Sequence, residues 1–274
     1  MKSPASLIII AMLGIALLAG DSVSTLGGER PKFIKEQVVS LKPTKYESFS
    51  LKPIIGLAEA QRQVLWYKQH IPKTGNERSV RLSYLARLYF FLGEEGDQKT
   101  RKNSFEQGDY YAGLLIKEQP QRVEGHYWLA LNLCGLADVT APKQSLTLVP
   151  RIIKLLEATL TIDEAYDQAG AHRVLGRIYF MAPAWPLSEG DVDKSFRHLA
   201  AAVAIAPENS TNHLFFAETL HHMGKGMEAN RELEKVLVVT KHALWPQGLA
   251  DDQKKAQELM KKYKTKGDIA LISR

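Results

Sequence analysis

Cysteine is almost absent from this sequence. Its 274 residues include one, Cys134, so no intrachain disulfide can brace the fold even in an oxidising compartment, and the core must hold itself together. Cys134 closes the apolar run Trp128 to Cys134 and reads as a small buried hydrophobe, not a nucleophile. No GxSxG, HExxH, P-loop or paired zinc-knuckle pattern occurs, and the acidic residues are scattered along amphipathic segments without a recognisable catalytic arrangement. Those absences exclude the common motif-bearing hydrolases and nucleotide-binding enzymes, although an envelope enzyme assembled from distant residues stays as the weakest of three function classes. No cofactor is expected. With 45% apolar and 24% charged residues, the chain has material for a sizeable core and none of the signature of wholesale disorder.

The N-terminus differs in composition from the rest. Lys2 precedes an apolar run from Leu7 to Ala19, shorter than the roughly 20 residues a spanning helix needs, and small residues follow at Ala19 and Gly20. Residues 1–20 therefore read as a secretory signal peptide, giving an exported or periplasmic chain that begins near Ala19 to Asp21. Leu17-Leu18-Ala19-Gly20 is similar to a bacterial lipoprotein processing box, but Asp21 stands where that box needs cysteine, and a carboxylate cannot carry a thioether lipid. The formal charge of +6 concentrates near the two ends, in Arg30, Lys32, Lys35, Lys42 and Lys45 and again from Lys254 to Lys266. Solvated terminal segments account for that distribution better than a membrane surface does; no nucleic-acid partner is expected, and membrane association is left open.

The organising feature is a repeat. From Ser210 to Leu237, counting Ser210 as position 1, Phe216 and Ala217 take a large-then-small pair at positions 7 and 8. Leu220 follows at 11, Gly224 at 15, Ala229 at 20 and Leu233 at 24. A small residue facing a large one lets two helices approach, and glycine permits the tight turn between them. Leu175 and Gly176, Leu129 and Ala130, and Leu85 and Ala86 repeat the pair upstream. First helices are expected near 79–92, 123–137, 169–181 and 210–223, and second helices near 98–118, 145–162, 191–206 and 226–240. Equivalent positions lie 44, 46 and 41 residues apart (82 to 126, 126 to 172, 172 to 213), the surplus falling in the turns 93–99, 137–145 and 182–190. Amphipathic segments at 57–69 and 250–263 read as caps over the two apolar ends of the stack.

These features resemble the tetratricopeptide (TPR) repeat superfamily, which implies an all-α fold: a right-handed superhelix of about four helical hairpins with flanking capping helices. The domain reading is a signal at 1–20, an extended or flexible segment at 21–54, a helical repeat domain at 55–266 and a tail at 267–274. The export signal, the irregular repeat length and the segment Glu124-Gly125-His126-Tyr127-Trp128-Leu129-Ala130-Leu131-Asn132 are similar to bacterial envelope TPR proteins, including the T component of TRAP solute transporters. The TPR resemblance implies a non-enzymatic scaffold for a protein partner. The narrower one implies an accessory or ligand-carrying part of a periplasmic uptake system, with a periplasmic solute-binding protein or a small ligand as partner.

In that register, positions 5, 9 and 12 of the first helices line the inner face: Arg87, Phe90, Tyr127, Leu131, Arg173, Arg177, Phe180, Leu214, Glu218 and His221. Arg173 and Arg177 share one helical face, where two guanidinium groups suit a carboxylate beside Tyr127 and Phe180, or else bond to neighbouring acidic side chains and tie repeats together. His126, His172 and His213 share position 4, and helix spacing of about 8–10 Å keeps such a series from converging on a metal whose ligands lie about 2 Å away, so no metal site is expected. Gly224-Lys225-Gly226-Met227-Glu228-Ala229 matches a dinucleotide fingerprint in letters only, since a helix and not a strand enters it. In the proline-stiffened turn at 182–190, Trp185 is expected to fold back onto its hairpin, its alternative being an exposed anchor for a partner.

Overall fold

The computed structural model describes residues 56–239 and 246–272, with side chains of the last helix described over 248–263. The signal at 1–20 and the segment 21–54 lie outside those residues, whereas residues 267–272 of the expected tail continue the last helix. Ten helices are present among the described residues, and no strand: α1 (Leu57–Gln69), α2 (Asn76–Glu95), α3 (Gln98–Glu118), α4 (Val123–Asp138), α5 (Pro142–Ile162), α6 (Tyr166–Met181), α7 (Val192–Ile205), α8 (Ser210–His222), α9 (Gly226–Val238) and α10 (Pro246–Ile272). The all-helical class expected from the sequence is what the chain adopts.

Local chemistry explains where the helices begin. Asp97 accepts from the backbone N–H of Lys99 and Thr100, Asp191 from Asp193 and Lys194, and Asn209 from Asn212, so α3, α7 and α8 each open on a side-chain cap. Pro142 opens α5, where its missing N–H removes a donor that the first turn leaves unpaired anyway. Between α8 and α9, Gly224 sits at φ 77, a conformation open to glycine and costly to most residues.

The helices pack as hairpins, α2 with α3, α4 with α5, α6 with α7 and α8 with α9, and each hairpin lies against the next. The large-small pairing is seen at Gly176, where an added Cβ would meet Leu199 Cγ at 2.5 Å. One apolar cluster runs from Ala60 through the α2–α6 region to Ala182, and a second joins Leu199, Leu214, Phe215, Leu220, Leu233, Val236, Leu259 and Tyr263.

Successive hairpins are also tied by buried and half-buried polar bonds between residues 38 to 46 apart. Arg122 donates to Asn76 across 46 residues and Asn132 to the Ala86 carbonyl across 46. Trp128 Nε1 donates to the Tyr166 hydroxyl across 38, and Arg177 to Glu218 across 41. Ser210 and Thr211 donate to Asp252 across 42 and 41 residues, which sets α10 beside α8 in the place a further first helix would take. The cap expected at 250–263 is thus longer and continues the series.

Asp252 makes this last contact pH-dependent. Burial raises its carboxyl from 3.8 to about 6, against the opposing hydroxyls of Thr211 and Ser210 and the charge of Arg173, while Asp251 adds repulsion. Between pH 4 and 6 the folded chain keeps a proton that the unfolded chain has lost. The stability present at low pH therefore falls as pH rises through about 6, by on the order of 2–3 kcal/mol. Urea denaturation between pH 4 and 8 should show this fall in wild type and a flatter profile in Asp252→Asn; superimposable profiles would remove Asp252 from the account.

One expectation is corrected here. Trp185 does not fold back into the hairpin: it is 42% exposed, and Leu187 beside it is 54% exposed. The turn closes on its own backbone instead, through Gly190 N–H to the Pro183 carbonyl at 2.9 Å and Asp191 N–H to the Tyr179 carbonyl at 2.9 Å. Gly190 is required there, because a Cβ would lie 2.1 Å from the Ala182 carbonyl oxygen.

Candidate inner-face site

The inner-face residues divide into three groups. Phe90, Leu131 and Leu214 are core. Phe90 packs at a tilt against Phe105 and Trp128, ring centroids 6.1 and 5.9 Å apart, and Leu131 and Leu214 are buried. Arg177, Glu218, Phe180 and His221 form a second group on α6 and α8. Arg177 Nη1 donates to Glu218 Oε2 at 2.8 Å, and its guanidinium lies over Phe215 and Phe180, 4.6 and 5.3 Å from their centroids. Burial pushes the Arg177 pKa down and Glu218 opposes that, so the pair is a desolvated tie between hairpins. His221 stacks on Tyr263 of α10, the planes 8° apart.

The third group joins Tyr127, Arg173 and Arg87 around a residue the sequence did not single out, Asp167. The Tyr127 hydroxyl donates to Asp167 Oδ2, and Arg173 Nη2 donates to the same oxygen at 2.7 Å. Burial raises the Asp167 carboxyl, while Arg173, Tyr127 and Arg87 each hold it down. Arg87 is buried, desolvation lowers its pKa, and Tyr166 and Asp167 are the first two opposing influences. Burial and then the Asp167 charge push the Tyr127 phenol well up, so it stays a donor.

The backbone beneath Asp167 is unusual. Asp167, Gln168 and Ala169 have φ 52, 55 and 61 with ψ 43, 54 and 37, a left-handed turn made without glycine at the start of α6. Left-handed geometry costs an L-residue roughly 1–2 kcal/mol, and it persists only where its surroundings over-determine it. Here Asn209 Nδ2 donates to Gln168 Oε1 at 2.7 Å, Asn212 Nδ2 to the Gln168 carbonyl at 3.2 Å, and Arg173 Nη1 to the same carbonyl at 3.2 Å. Gly170 follows the turn because a Cβ there would come within 2.4 Å of the Tyr127 hydroxyl. No sequence signal marks the turn: Asp163-Glu164-Ala165-Tyr166-Asp167-Gln168 holds no glycine or proline.

The histidine series is structural in its geometry. His126 Nε2 and His213 Nε2 each face a proline carbonyl six residues earlier, Pro120 and Pro207, at 2.8 Å in both cases. His172 Nε2 instead meets Glu164 Oε1 at 2.8 Å, and its Nδ1 lies 2.9 Å from His198 Nδ1. Burial, with His172 next, lowers the His198 pKa to about 4, so that ring is neutral at ordinary pH. Among the described residues no cluster of three or more His, Cys, Asp or Glu side chains could hold a metal ion. Cys134 is half-buried, and burial raises its thiol to about 12, which leaves it without thiolate character. Trp185 is not brought to the inner face.

No helix among the described residues is long and apolar enough to cross a membrane. A search of curated proteins returned no match to this chain. The family model of the TRAP transporter T-component, however, matches residues 56–265, from the start of α1 into α10. That match covers most of the sequence and the whole run of stacked hairpins, and the chain belongs to the TRAP transporter T-component family.

Proposed function

We propose that this protein is a non-enzymatic accessory component of a TRAP-type solute-uptake system in the cell envelope, and that it works by docking a periplasmic solute-binding protein. The observation that carries this reading is the extent of the family match, which takes in every hairpin from residue 56 to residue 265. It favours the transport-accessory expectation over a general protein-binding scaffold.

The stack itself reads as TPR-type. Positions 8 and 24 meet where Gly176 admits Leu199, and Ala217, Ala229 and Leu233 are fully buried at positions 8, 20 and 24 of the last full repeat. Such an array presents edges and a concave side built from equivalent positions, which suits recognition of another folded protein more than chemistry on a substrate. The experiment that tests the reading is affinity capture of the full-length chain from intact, cross-linked envelopes, with the captured proteins identified by mass spectrometry.

A further inference from the structure

We propose that the tip of the turn between α6 and α7, residues 184–187, is the anchor by which this protein docks its solute-binding protein, and that the partner meets it with an apolar pocket bordered by lysine or arginine. The inference rests on the docking function proposed above and assigns it to one place on the surface.

Ala184, Trp185, Pro186 and Leu187 are consecutive, apolar and all exposed. Single apolar residues scattered over a surface are ordinary, but an unbroken exposed run carries a solubility cost that goes with a use. The tip is also held in shape before any partner arrives. Leu187 N–H donates to the Ala184 carbonyl at 3.1 Å across it, and the Gly190 and Asp191 N–H bonds described above close its base. Pro183 and Pro186 each restrict the backbone further. A turn so fixed gives up little conformational freedom on binding, and tryptophan adds a large contact area at the cost of ordering two side-chain torsions. Tryptophan is also among the residues that most often dominate the energy of an interface.

The surroundings of the tip set the chemistry of the partner. Glu189 and Asp191 follow it directly, and Asp193 is exposed in the first turn of α7. Burial first, and then the charges of Glu157, Glu189 and Asp191, push the Tyr179 phenol up to about 12, so carboxylates from α5 and from the turn gather around one ring at its base. The Lys194 ammonium, 4.9 Å from the centroid of that ring, offsets part of the charge. His198, stacked on the same ring with centroids 5.6 Å apart, is neutral and adds none. An apolar tip in an acidic collar fits an apolar pocket with a cationic rim, and it repels acidic surfaces.

The test places the photo-cross-linker p-benzoylphenylalanine at position 187 of the full-length chain, irradiates intact envelopes and identifies the adducts by mass spectrometry. The same group at position 110, where Tyr110 is 56% exposed on α3, is the control. A solute-binding protein should be joined to residue 187 and stay at background at residue 110. With the cross-linker at 187, Trp185→Ala should lower the adduct yield roughly tenfold or more, and Trp185→Phe should keep most of it. Glu189→Lys should lower it as well, through repulsion from the cationic rim. Neither Trp185 nor Glu189 is buried, so these variants should melt within about 2 °C of wild type. The proposal is overturned if residue 187 gives no adduct, if it joins only a second copy of this chain or another envelope protein, or if Trp185→Ala leaves the yield unchanged. Affinity capture of a solute-binding protein with no adduct at residue 187 would sink this assignment and leave the docking function standing; recovery by neither method would sink both.

Discussion

Replacing Phe105 by alanine should lower the unfolding free energy by about 3–5 kcal/mol, the range for truncating a fully buried aromatic side chain. Phe105 is 0% exposed and lies between α2 and α4 in a slot that two glycines open. A Cβ at Gly93 would sit 2.4 Å from its ring, and one at Gly135 would sit 2.2 Å away. For a chain of this size each kcal/mol moves the melting temperature by roughly 2–4 °C, so a drop on the order of 10 °C is expected by calorimetry. The slot also predicts coupling. Gly135→Ala should be strongly destabilising in wild type, yet nearly neutral or stabilising in Phe105→Ala, where the ring is gone and alanine's helix propensity is left to act. Additive effects in the double variant would mean that ring and glycine do not share this space.

A second large effect is expected at the Arg177–Glu218 pair. Arg177→Met keeps much of the apolar stem that packs on Phe215, but it leaves Glu218 without its cation in a half-buried setting, at a cost of about 3–5 kcal/mol. Adding Glu218→Gln should restore most of the loss, because removing the stranded charge matters more than restoring the bond. Chemical denaturation of the two single variants and the double variant measures this. If Glu218→Gln worsens Arg177→Met, the pair contributes through packing and not through charge compensation.

Helix by helix, the fold was legible because its determinants are local and periodic. Second helices expected at 98–118 and 226–240 run over Gln98–Glu118 and Gly226–Val238, and first helices expected at 123–137 and 210–223 run over Val123–Asp138 and Ser210–His222. Aspartates and asparagines sit where caps are needed, and small residues sit where a neighbouring helix comes close. The register expected for an inner face picks out residues that the structure divides: Phe90, Leu131 and Leu214 are core, Tyr127 meets Arg173, and Arg177 meets Glu218 and Phe180. What it could not show is that both arginines already have carboxylate partners. Arg177 finds its partner on the next hairpin, as the tie between repeats allowed. Arg173 finds Asp167, whose position depends on a left-handed turn held by Asn209, Asn212 and Tyr127 from elsewhere in the chain. No local pattern encodes that turn. The exposed Trp185 escaped for a related reason: its turn satisfies its own backbone, and nothing draws the ring inward.

Affinity capture from cross-linked envelopes tests the central claim most directly. The chain should retain a periplasmic solute-binding protein as its dominant partner, in amounts that scale with its own abundance and that vanish when the cross-linker is omitted from a high-salt wash. Recovery of an envelope-assembly enzyme in its place, with no solute-binding protein above background, would contradict the assignment to solute uptake.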